Sequence, residues 1–216
     1  MPGFTPSSKL KRNSQSLLEP MPTPALQKVS KSMVIESGLH FLKEAGTDQI
    51  CRVCIRNGGS CCNGCRHLSN GFGCQLRNTS CTAWLCGFLK FVLYEMELLE
   101  GWNEFWEQVP GQDYREDFTP DFFTTHTSLS ACDTRLVSEA LAADLQELAE
   151  GHIAIGFILT LREKIDKNMD QLLVHRHDKE KISKIKRNIR LLSSPFYRFH
   201  KACAAYKQQQ KQQLQQ

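Results

Sequence analysis

No apolar run in the 216 residues is long enough to span a membrane. The most apolar stretch, Ala83 to Tyr94, carries Lys90 and falls well short of the roughly 20 apolar residues a span needs. The segment from Met1 to Pro24 also lacks the apolar core of a secretion signal and is polar, basic and Pro-rich. The expected location is therefore cytoplasmic, with no membrane partner. The nucleophile-elbow, P-loop and dinucleotide fingerprints are missing, as are an internal repeat and a convincing alternating strand pattern. Acidic residues are absent from position 49 to position 94, where Arg52, Arg56, Arg66, Arg77 and Lys90 stand without a carboxylate.

Cysteine, by contrast, is abundant. There are ten, and eight of them (Cys51, Cys54, Cys61, Cys62, Cys65, Cys74, Cys81 and Cys86) fall within one short stretch. In a reducing compartment disulfides are rare, so clustered cysteines point to metal or redox chemistry. Cys132 and Cys203 are solitary and read as small buried hydrophobes.

Charge is segregated along the chain. Residues 95–150 hold fourteen acids against Arg115 and Arg135, and residues 151–216 hold fourteen Lys and Arg against five acids. Such segregation implies that the acidic and basic segments face each other, or that one faces a charged partner.

The fold expected is mainly α, a helical body carrying an irregular Cys-rich loop region stapled by metal. Residues 1–31 read as a disordered basic Pro-rich arm. Residues 32–128 read as the Cys-rich metal-binding region with flanking helices, residues 129–206 as a helical region, and residues 207–216 as a disordered Gln/Lys tail. Within this plan a helix is expected over Met33 to Ala45, stopped by Gly46. Residues 51–80, rich in Gly and Asn, are expected to be loops. One central helix is expected from Thr82 to Glu100 and a short one from Trp102 to Gln108. From Ser130 onward apolar residues recur at helical spacing: Leu136, Ala140, Leu141, Leu145 and Leu148, then Ile158, Leu161, Ile165 and Met169, then Ile182, Ile185 and Ile189. Ser194-Pro195 suits the start of a last helix reaching about Tyr206.

The cysteine spacing is Cys51-x2-Cys54-x6-Cys61-Cys62-x2-Cys65-x8-Cys74-x6-Cys81-x4-Cys86. Two intervening residues let both sulfurs of a C-x2-C pair reach one ion. The two pairs, Cys51/Cys54 and Cys62/Cys65, lie too close together for a zinc ribbon, which separates them by about 15–20 residues. Adjacent Cys61 and Cys62 point to opposite sides of an extended chain. They serve either two metals or one metal and a packing role. A thiolate-bound zinc or iron–sulfur centre is anionic, and the acid-free, Arg-rich surroundings suit it. Both metals accept all-thiolate ligation. The ferredoxin-type cysteine run is missing, and zinc is the metal expected, with an iron–sulfur cluster as the alternative.

The segments Cys61-Cys62-Asn63-Gly64-Cys65-Arg66-His67-Leu68, Gly73-Cys74-Gln75-Leu76-Arg77 and Cys81-Thr82-Ala83-Trp84-Leu85-Cys86 resemble the YkgJ-like family of zinc- or iron-chelating Cys-rich proteins. The resemblance covers only the Cys-rich stretch. It implies metal binding, with Cys51, Cys54, Cys61, Cys62, Cys74 and Cys81 as ligand candidates. It departs from the family in the long gap before the Cys pair and in Asn78, where the family tends to have Pro. Relatives linked to flagellin lysine methylation make an enzymatic role conceivable.

Other features are weaker. Lys179, Lys181, Lys184, Lys186, Arg187 and Arg190 crowd one helix and suit nucleic acid or an acidic protein partner. No nucleic-acid-reading motif accompanies them, and a solvated basic face is the plainer reading. His67 lies inside the cysteine cluster and suits a ligand or a hydrogen-bond donor to one. The pair His175 and His177 reads as a solvated helix end. Asp113, Glu116, Asp117 and Asp121 lack the spacing of a calcium loop. Trp102, Phe105 and Trp106 read as a packing face. The functional expectation is a metal-binding structural or interaction module without catalysis. The alternative is an iron–sulfur enzyme or enzyme accessory related to protein lysine methylation or redox chemistry.

Overall fold

A computed structural model describes residues 26–60, 67–69, 73–74, 77–113, 116–130, 133–151 and 156–213. The described residues are mainly helical, as the periodicity implies. The first element among the described residues is strand β1 (Gln27–Ser30), inside the stretch expected to be a disordered arm. Ser30 then caps helix α1 (Lys31–Glu44): its side-chain oxygen accepts the backbone N–H of Met33 at 3.2 Å. Helix α1 buries Val34, Phe41 and Leu42.

Helix α2 (Thr47–Arg56) corrects the expectation of loops from residue 51. Thr47, Ile50, Val53 and Cys54 fall on one face and are buried, so Cys54 contributes to a helical apolar stripe. Beyond it lie a two-residue hairpin, β2 (Leu68–Ser69) with β3 (Gly73–Cys74), and the short helix α3 (Thr79–Ala83).

The single helix expected from Thr82 to Glu100 is instead three: the end of α3, then α4 (Gly87–Glu95), then the start of α5 (Leu99–Glu107). Tertiary structure makes the first break. Trp84 turns extended, and the indole N–H of Trp102 donates to the carbonyl of Ala83 at 3.0 Å. That bond satisfies a carbonyl orphaned at the helix end. The second break is a left-handed residue, Glu97 at φ 61°. Here Leu98 N–H donates to Leu93 O at 2.8 Å and Glu97 N–H to Tyr94 O at 3.1 Å, the paired closure that ends many helices, with Glu where Gly is usual. Gly101, which falls between the two helices expected over Thr82–Glu100 and Trp102–Gln108, lies inside α5.

Strands β4 (Gln112–Asp113) and β5 (Glu116–Asp117) form a second hairpin. Strand β6 (Phe122–Thr125) returns to pair antiparallel with β1, Gln27 opposite Thr125. Asp117 ties this connection to the body. Its carboxylate accepts Thr79 N–H at 3.1 Å and the Thr79 hydroxyl at 2.6 Å, and it meets Lys31 at 2.9 Å.

Four longer helices complete the fold: α6 (Arg135–Gly151), α7 (Phe157–Val174), α8 (Lys179–Leu192) and α9 (Tyr197–Gln213). The last runs on past Tyr206, where the tail was expected to begin. Helix α6 packs on α9 and α2, α4 on α7, and α7 on α8. One continuous apolar cluster runs from Val29 through Phe88, Phe91 and Trp102 to Ile165, Phe199 and Cys203. The acidic middle and basic end of the chain meet on α6 and α9. Buried Asp144 accepts Phe199 N–H at 2.9 Å and an Arg198 guanidinium N–H at 3.0 Å.

Candidate metal centre

Helix α2 sets the first two sulfurs. Cys51 and Cys54 are three residues apart on the helix and so lie along one side of it. Cys51 is half-buried and Cys54 buried. Past the end of α2 the chain doubles back, with Gly59 N–H donating to Cys54 O at 2.8 Å. A Cβ on Gly59 would lie 2.3 Å from the Cys54 sulfur, so only glycine allows the loop to cover the thiol this closely.

The third sulfur comes from Cys86, buried at the N-cap of α4. Helix α4 crosses α7 at Gly87, where an added Cβ would meet Arg162 O at 2.3 Å and Asp166 N at 2.5 Å. Lys90 fixes the same crossing through ion pairs to Asp166 at 2.8 Å and Asp170 at 2.6 Å. Burial works against the Lys90 charge, but these two carboxylates more than offset it and raise its pKa.

Cys51, Cys54 and Cys86 line one small cavity of about 20 Å³, together with Ile50, Phe88, Ser60 and Arg162. Arg162 comes from α7. One of its guanidinium nitrogens lies 3.5 Å from the Cys54 sulfur and 3.2 Å from the Ser60 carbonyl. The guanidinium and the N-terminal end of α4 both favour negative charge there. A cavity of this size holds one water-sized occupant.

Among the described residues, no three His, Cys, Asp or Glu side chains are arranged to hold a metal ion. Cys61, Cys62 and Cys65 lie outside the described residues, as does the side chain of Cys74. Cys61 directly follows Ser60, which lines the cavity. Cys81 stands on α3, half-buried and not in the cavity wall.

No family model, curated protein or solved structure matches this chain.

The remaining sequence-derived candidates are dispersed. His67 is half-buried beside the β2–β3 hairpin. On α8 only Ile185 and Ile189 reach the core, so Lys179, Lys181, Lys184, Lys186, Arg187 and Arg190 are all exposed. Lys181 pairs with Asp178 and Lys184 with Glu180, while Asp144 and Glu147 of α6 meet Arg198 of α9. Trp102, Phe105 and Trp106 are core residues. Cys203 packs its sulfur 3.8 Å from that of Met96, as a buried hydrophobe does. Cys132 lies outside the described residues. No helix among the described residues is long and apolar enough to cross a membrane.

Arg162 is the charged residue of the described cavity wall that the sequence did not single out. It sits between Leu161 and Ile165 of an apolar stripe, and a basic residue beside such a stripe is common on any surface helix.

Proposed function

We propose that this chain is a thiolate-ligated metal-binding module whose metal clamps the Cys-rich segment onto the helical body. The observation that carries the reading is that Cys51, Cys54 and Cys86 all line one cavity beside Arg162. Soft sulfur donors suit zinc or iron–sulfur centres rather than magnesium or calcium. Zinc is the metal proposed, with a fourth sulfur supplied from Cys61, Cys62, Cys65 or Cys74. A bound zinc would supply folding free energy to a segment with little core of its own. On this reading Arg162 offsets the negative charge of the zinc–thiolate group, and Gly59 keeps the loop against Cys54.

The module is structural rather than catalytic, and its exposed basic helix α8 engages a polyanion. Anaerobic purification followed by elemental analysis and visible spectroscopy tests the metal. Stoichiometric zinc in a colourless protein, lost in Cys54→Ser, is the expected result. A brown protein containing iron would support the cluster instead, and protein lacking both metals would overturn the reading.

A further inference from the structure

We infer that α8 and the cleft it forms with α4 and α9 bind single-stranded nucleic acid. The inference rests on the polyanion part of the proposed function and is independent of the metal.

Two depressions flank α8. A cleft of about 710 Å³ is lined by Tyr94, Lys186, Arg190, Ser193, His200 and Lys207, with Glu95 and Glu97 on the same wall. A shallower one of about 520 Å³ is lined by Lys179, Lys184, Lys186, Arg187 and Arg190. Lys186 and Arg190 line both, so the two meet along a single stripe of the helix. These two residues are one helical turn apart, about 6 Å along the axis. Among the described residues neither they nor Lys179 and Arg187 enter an ion pair. The carboxylates in the cleft offset this charge only in part: Glu95 is met by Lys207 at 3.7 Å, and exposed Glu97 stands against the two cations Lys186 and Arg190.

The cleft also holds rings. Tyr94 of α4 is half-buried in its wall, and His200 of α9, anchored by a 2.9 Å hydrogen bond to Ser193 O, also lines it. Cations that track a backbone, combined with rings on which bases stack, are the features of single-strand binding. A duplex keeps its bases in the stack and would use only the cations. An acidic peptide would have no use for the rings.

The test is a fluorescence-anisotropy titration of the full chain with a labelled single-stranded oligonucleotide, its duplex form and poly-glutamate, each at several salt concentrations. Single strand is expected to bind tightest. The double variant Lys186→Gln/Arg190→Gln removes two exposed cations without touching the core. It should weaken binding and reduce the log–log salt slope by about 1.4. Tyr94→Leu should weaken single-strand binding roughly tenfold and leave the salt slope unchanged. Salt-sensitive binding that ignores all three substitutions would sink the cleft while sparing the polyanion reading. Equal affinity for duplex, or preference for poly-glutamate, would replace the single strand as occupant. Absence of binding to every probe would sink both.

Discussion

Arg162 and Cys54, 108 residues apart in the chain, meet at 3.5 Å from guanidinium nitrogen to sulfur. The contact joins α7 to α2 and also reaches the loop leaving α2, through Ser60 O. A donor held this way steadies a thiolate and moderates the charge of a metal–sulfur group. Arg162→Gln keeps a hydrogen-bonding side chain but removes the charge. It should lower zinc affinity about 10- to 100-fold in a chelator competition, the usual scale for a partner of a ligand. Arg162→Lys should recover only part of the loss, because the lysine nitrogen sits one bond nearer the backbone than the guanidinium nitrogen that meets both the sulfur and the carbonyl. Unchanged affinity in both variants, with metal still lost in Cys54→Ser, would make Arg162 a packing residue only.

Cys203 provides a contrast. Burial, with a smaller contribution from Glu95, pushes its thiol up to about 12. At about pH 8 it should therefore stay protonated and unreactive toward iodoacetamide in the native protein, and become labelled once urea unfolds the chain. Peptide mapping of the alkylated sites checks this. Rapid native labelling at Cys203 would show that α9 detaches from α4 far more readily than the packing implies.

The helices from α6 to α9 were legible because their core residues recur at helical spacing and their stripes are unambiguous. Helix α2 is not, because the Gly and Asn that follow Arg56 suggest loops for the whole Cys-rich stretch, while Cys54 completes an apolar face with Ile50 and Val53. The breaks within 82–100 leave almost no local trace. One depends on Trp102 reaching back to Ala83, and the other puts Glu97 where glycine would be the signal. The β1–β6 pair joins segments so far apart in sequence that neither shows an alternating pattern by itself. The site divides in the same way. Its cysteines stood out by residue type and spacing, whereas Arg162 became visible only when α7 was laid against α2 and α4.

Asp117 should make stability depend on acid. Burial alone would raise its pKa, but the hydrogen bonds from Thr79, Lys31 and Thr119 outweigh it and hold the carboxyl well below the usual carboxylate range. A carboxyl whose folded pKa lies below its unfolded value of about 3.9 stabilises the fold fully above that pH, and the contribution fades as pH falls toward the folded value. Asp117→Asn should therefore cost about 2 kcal/mol at neutral pH, the scale of hydrogen bonds to a charged group. The gap between wild type and variant should narrow steadily below about pH 4. Urea midpoints measured across this range decide it, and a gap that does not change with pH would show that the charge on Asp117 is not what matters.

Gly87 lies where α4 and α7 come closest, and the atoms an added Cβ would meet are backbone: Arg162 O at 2.3 Å and Asp166 N at 2.5 Å. Backbone cannot rotate aside as a long side chain can, so the helices must separate. Separation would disturb Phe88, Leu161 and Ile165 in the core and lengthen the Lys90–Asp166 pair. Gly87→Ala gains helix propensity of about 1 kcal/mol in an unconstrained helix. Here overpacking of about 1–3 kcal/mol or more should exceed that gain and leave a net destabilisation. Because Arg162 supplies the struck carbonyl and Cys86 precedes the glycine, the displacement also pulls two walls of the cysteine cavity apart. The variant should therefore show both a lower urea midpoint and weaker zinc retention, whereas Gly101→Ala, which has open space around its Cβ, should show neither. If Gly87→Ala proved as stable as wild type, α4 and α7 would have to pack more loosely than these distances allow.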